Sequence, residues 1–104
     1  MVTALTPEQF LESPGVEGWR VSANVASATF LTGSFDRGVT FIDRIGPLAD
    51  AANHHPDVDL RYSIVVIRLT THEIHALSER DVALARRIAE SARELEIRVD
   101  PPSS

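Results

Sequence analysis

Halfway along the chain the spacing of apolar residues changes, and that change limits what can be built around it. Val39, Phe41, Ile42, Ile45, Leu48, Ala49 and Ala52 recur at helical spacing and form one apolar stripe. Asn53-His54-His55-Pro56 then ends the helix, because a residue before proline avoids the α region. Beyond it Val58, Leu60 and Tyr62 alternate with Asp57, Asp59 and Arg61, the period-2 pattern of a half-buried strand. A one-striped helix running straight into a one-faced strand implies helices laid on a sheet. Inside the stripe, Gly46-Pro47 removes a backbone hydrogen bond at a cost of about 3 kcal/mol. The apolar phase survives the interruption, so a kink in one helix is expected rather than two helices. Asp36 is the expected N-cap of that helix.

The remaining elements follow from local signals. Thr6-Pro7-Glu8-Gln9 reads as a capping box with proline at the first helical position, bracketed by Leu5 and Phe10, and Ser13-Pro14-Gly15 stops the helix early. Trp19-Arg20-Val21 and Ala28–Leu31 read as two short antiparallel strands. Ile64–Leu69 is a β-branched run that either folds back on Val58–Tyr62 as a hairpin near Ser63 or continues it as a longer bent strand. The last helix is capped by Ser78, carries Glu79 and Asp81 in its first turn, and pairs Leu77 with Val82 as a staple. Its inward side holds Asp81, Leu84, Ala85, Ile88, Ala92 and Leu95. The order α-β-β-α-β-β-α predicts an α+β fold, a four-stranded antiparallel sheet with three helices packed on one face. Residues 1–104 form one domain in this reading, and about 98–104 are a flexible tail ending in Asp100-Pro101-Pro102-Ser103-Ser104.

Composition narrows the function classes. The chain has 104 residues, 10 basic and 15 acidic, and no cysteine. That excludes disulfide scaffolds and cysteine-ligated metal sites, and its net charge of −5 argues against a nucleic-acid partner. No apolar run approaches the roughly 20 residues of a membrane span. MVTALTPEQF has neither the basic nor the apolar region of a signal peptide, so a cytoplasmic location is expected.

The four histidines, at 54, 55, 72 and 75, all fall at element boundaries in the second half. An isolated boundary histidine is ordinarily a surface or capping residue. A His-His pair fixed by a following proline at a helix end is less ordinary, because both imidazoles are held in place, and imidazole exchanges protons near neutral pH. A metal site has little support, since neither His54-His55 nor His72/His75 has ligand spacing on one face. No G-x-S-x-G and no phosphate-binding glycine loop is present. Acid–base chemistry on a small ligand remains.

Asp50-Ala51-Ala52-Asn53-His54-His55-Pro56, Tyr62, Thr70-Thr71-His72 and Arg80-Asp81 together resemble the signature of the pterin-4a-carbinolamine dehydratases. The likeness extends upstream to Gly18-Trp19, Phe30, Phe35 and Phe41. The resemblance implies an enzyme that dehydrates 4a-hydroxytetrahydropterin to quinonoid dihydropterin, with no metal or organic cofactor. The pterin would come from an aromatic amino acid hydroxylase, and the protein would assemble as a homodimer or homotetramer. It also implies that His54, His55 and His72 are catalytic, with His54 and His72 as the acid–base pair and His55 shaping the pocket. Asn53, Thr70 and Thr71 match positions that hold the pterin. Asp50 lies one helical turn before His54 and is expected to orient it. Trp19 either walls the heterocycle or belongs to the core, and Arg80 and Asp81 are either supporting residues of the site or purely structural. His75 and Gly46-Pro47 depart from the family pattern. A non-catalytic relative on the same fold, acting as an assembly factor or dimerisation partner, is the alternative; such relatives tend to lose the histidines that this chain keeps.

Overall fold

A computed structural model describes residues 2–101. Its first helix, α1 (Pro7–Leu11), begins with the expected reciprocal cap: Thr6 Oγ1 accepts the Gln9 N–H, and Gln9 Oε1 accepts the Thr6 N–H. Then come β1 (Arg20–Ser22), β2 (Val25–Leu31), α2 (Phe35–Ala52), β3 (Asp57–Leu60) and β4 (Ile64–Leu69). A 3-10 turn over His72–Ile74, α3 (Glu79–Glu94) and β5 (Arg98–Val99) complete the order. The sheet is antiparallel, in the order β1-β2-β4-β3, with β5 pairing β2 further along. The architecture is the expected α+β one, with a fifth strand added.

Period-2 alternation decides which side of the sheet is covered. Ala26, Ala28 and Phe30 of β2 sit opposite Leu69, Ile67 and Val65 of β4, and all six are buried. They meet Phe10, Phe41, Ile45 and Ile88 of the helices in one core cluster. Phe30 packs edge-on against Phe41 at 4.9 Å and against Trp19 at 6.2 Å between ring centroids. Such pairs are worth about 1 kcal/mol beyond the area that they bury.

Four local expectations need correction. Helix α2 starts at Ser34, whose Oγ accepts the Arg37 N–H, while Asp36 occupies the first turn, where its charge still favours the helix. The inward face of α2 is Gly38, Phe41, Ile45 and Ala49, with Val39 38% exposed. Gly38 is there because β3 comes close: a Cβ at this position would lie 2.6 Å from Leu60 Cδ1. As expected, α2 is one helix and not two, running through Pro47 for 18 residues. Tyr62 is in the connection between β3 and β4, 79% exposed, and the Arg61 N–H to Ile64 O bond closes a hairpin instead of one bent strand.

The fourth correction concerns the expected tail. Glu96 turns the chain back at φ +58°, Ile97 is buried, and Arg98 and Val99 pair with Leu31 and Phe30. Asp100 N–H continues the ladder to Thr29 O at 2.7 Å. The rest of that expected tail, 102–104, lies outside the described residues. Among the described residues no helix is long and apolar enough to cross a membrane.

Candidate active site

The two adjacent histidines part company because of one backbone residue. Asn53 closes α2 in the left-handed conformation (φ 49°, ψ 43°), and the His54 N–H reaches back to Ala49 O at 3.1 Å. Asparagine tolerates this geometry better than most side chains. The reversal makes His54 a buried residue and leaves His55 exposed.

His54 meets the first turn of α3. Its Nε2 lies 2.6 Å from Asp81 Oδ1, and Asp81 is fully buried. The other carboxylate oxygen accepts the Thr71 hydroxyl at 2.8 Å and the Ser78 N–H at 3.0 Å. Thr71 has only one hydroxyl proton, and it goes to Asp81. The 2.7 Å contact between Thr71 Oγ1 and Ser78 Oγ is therefore donated by Ser78. Ser78 Oγ in turn accepts the Arg80 N–H at 3.2 Å. Both oxygens of Asp81 are thus engaged, one by His54 and the other by Thr71 and Ser78. With Nε2 engaged by Asp81, His54 has Nδ1 for another partner. Capping explains one oxygen of Asp81. The other is spent on the imidazole.

His55 has a different environment. Its Nε2 sits 2.9 Å from Asp50 Oδ1, with the two side chains 59% and 80% exposed. Asp50 therefore orients His55 and not His54, which the expected one-turn spacing would have favoured. The αL residue between them shifts the register. Asp50 and His55 line a cavity of about 210 Å³ against Ile45, Ala49 and Val58. That cavity reaches neither His54 nor His72.

His72 stands one residue beyond Thr71 on the 3-10 turn, exposed. Arg80 pins that turn to α3 through Glu73 at 2.7 Å. Thr70 ties the end of β4 to the β1–β2 turn, its hydroxyl donating to Asn24 O at 2.8 Å. The structure thus joins His54, Thr71, Ser78 and Asp81 directly, and sets His72 beside them in sequence. Trp19 lies apart, in the core, where it lines a different cavity with residues of β5 and the end of α3. Ser78 was visible in the sequence only as a cap; its S-x-x-D spacing is the signal that could have revealed the network. Among the described residues no group of three or more His, Asp, Glu or Cys is placed to hold a metal.

A helix-covered antiparallel sheet with a buried histidine–aspartate contact between the end of α2 and the start of α3 defines the class, a small α+β protein. Residues 3–91 match the family described as Pterin 4 alpha carbinolamine dehydratase, and the chain belongs to that family. A relative from Sulfurisphaera tokodaii, provisionally named pterin-4-alpha-carbinolamine dehydratase, is 41% identical over 72% of this chain and 81% of its own. One from Roseiflexus sp., similarly named, is 37% identical over 86% of this chain and 98% of its own. A crystal structure titled transcriptional coactivator/pterin dehydratase, from Brucella melitensis, has the same fold. Its TM-score is 0.80 over 86% of this chain and 99% of that one, at 24% identity.

Proposed function

We propose that the protein dehydrates 4a-hydroxytetrahydropterin, with His54 and His72 exchanging the protons. The observation that carries this reading is the buried Asp81–His54 contact, which engages one ring nitrogen and holds the imidazole in place at a helix end. Loss of water breaks the bond between C4a and its hydroxyl oxygen. One imidazolium gives the departing oxygen a proton, and a neutral imidazole takes the proton from the ring nitrogen. Quinonoid dihydropterin and water result, and no electrons change hands. Each well-placed proton transfer is typically worth about 10²–10⁴ in rate.

In this reading the ligand lies between His54 and His72, with His55, held by Asp50, meeting it from the adjoining cavity; Asn53 and Thr70 border the pterin, and Thr71, buried and bonded to Asp81, acts through that carboxylate. Arg80 acts at one remove by fixing the turn that carries His72. The reaction would recycle pterin released by an aromatic amino acid hydroxylase in the cytoplasm, with the protein acting as a homodimer or homotetramer. The family match and the retained histidine set support the enzyme reading over a non-catalytic assembly role. The test is to generate the carbinolamine with a hydroxylase and follow its decay. Wild type should accelerate decay, and His54→Ala or His72→Ala should each lose about 10²-fold or more while the fold persists. Decay at the spontaneous rate with wild type would overturn the assignment.

A further inference from the structure

A further cavity lies away from the histidines, none of which lines it. It has a volume of about 550 Å³, a usual size for a small-molecule site. Its lining on α3 begins at Ala89, eight residues past Asp81, or roughly 12 Å along the helix axis. Trp19 and Phe30 line it with Ala92 and Ile97, and all four are buried.

Two observations mark it as more than a packing gap. Trp19 is 3% exposed, and its Nε1–H meets no acceptor among the described residues. An unpartnered buried donor costs stability and calls for a specific explanation. The rim is the second. Arg93 and Arg98 line the cavity together with Glu17 and Glu96, all exposed. Among the described residues none of the four forms an ion pair. Glu17 accepts only the Gly15 N–H of its own loop, at 2.9 Å.

We propose that this cavity is a second ligand site, for a small aromatic molecule carrying both a carboxylate and an ammonium group, the chemistry of an aromatic amino acid. The aromatic and apolar lining takes a flat ring. A simple anion would face Glu17 and Glu96 as well as the arginines, and a simple cation would face the reverse. An amphoteric ligand satisfies both signs at once, its carboxylate against Arg93 and Arg98 and its ammonium against the glutamates. Gly18 is part of the design. Its φ of +90° is one that L side chains rarely adopt, and a Cβ there would lie 2.5 Å from Val99 Cγ1, so only glycine lets β5 close this end.

The chain has one tryptophan, so its emission reports on this cavity alone. L-Phenylalanine, which does not absorb where tryptophan is selectively excited, is the probe, with phenylacetate and phenethylamine as its singly charged counterparts. Phenylalanine should change Trp19 emission saturably, with each counterpart about tenfold weaker. Arg93→Gln with Arg98→Gln, both on the surface, should weaken phenylalanine and phenylacetate about tenfold and leave phenethylamine unchanged. Ala89→Leu should fill the cavity and abolish the response. No saturation by about 10 mM, a limit set by so small a ligand, would overturn the proposal. Equal binding of all three compounds, or an unaltered response in Ala89→Leu, would overturn it too. Dehydration of the carbinolamine is measured separately, so failure here leaves the histidine site untouched.

Discussion

His54 and His55 are neighbours in sequence, and each faces one carboxylate, yet the two pairs have little else in common. The Asp81–His54 contact is buried, and two further donors converge on the same carboxylate. The Asp50–His55 contact is at the surface, with both partners more than half exposed. Water screens the second pair and holds its partners loosely, so it contributes little to stability. The first is shielded, and removing either partner strands the other in the interior. Identical functional groups thus serve as a rigid device in one place and an adaptable contact in the other.

The contrast is tested most severely by Asp81→Ala. It leaves three donors without an acceptor and should destabilise the protein by about 3 kcal/mol, lowering Tm by more than about 10 °C in thermal unfolding. Dehydration should fall to near the spontaneous rate. His54→Gln should cost about 1–2 kcal/mol by denaturant titration, because a charge-assisted bond is lost. Thr71→Val keeps the shape but removes a hydroxyl that donates to Asp81 and accepts from Ser78; about 1 kcal/mol is expected from the same titration. Asp50→Asn should shift stability by no more than about 0.5 kcal/mol. If Asp50→Asn proved as costly as Asp81→Ala, the distinction between the two pairs would collapse.

The smallest effect lies on the open edge of the sheet. Arg68 donates to Asp59 at 2.7 Å and holds its carboxyl below the ordinary carboxylate value of 3.8. A depressed folded-state value stabilises the protein above the unfolded one, and that stability fades as pH falls through the folded value. Arg68→Gln should therefore lower stability slightly at neutral pH. The difference should shrink towards zero in strong acid, as measured by denaturation across pH.

What the sequence made legible was local, and what it hid was long-range. The caps at Thr6 and Ser78 depend on residues three apart, and both form as read. Ser34 rather than Asp36 caps α2, because both types can cap and tertiary placement chose between them. Strand β5 has only two residues, and pairing with β2 makes it a strand, so Arg98-Val99 gave no local sign. At the site, the family pattern singles out His54 and Thr71, but it does not reveal that Asp81 is their common partner. Asp81 already had a sufficient local explanation as a helix-start charge. Its link to His54 spans 27 positions, and no periodicity reports such a distance. Asp50 was assigned to the wrong histidine because helical spacing was carried past a residue that had already left the helix.

The Ser78–Asp81 box does two jobs with the same atoms. The Ser78 N–H that it satisfies belongs to the start of α3, and the carboxylate that does so also grips the imidazole. Starting the helix and seating the imidazole then depend on one and the same carboxylate. If the proposed chemistry holds, a population whose first turn has frayed would keep nearly all its helical signal while turning over no substrate, so turnover should register early unravelling before any bulk spectroscopic probe.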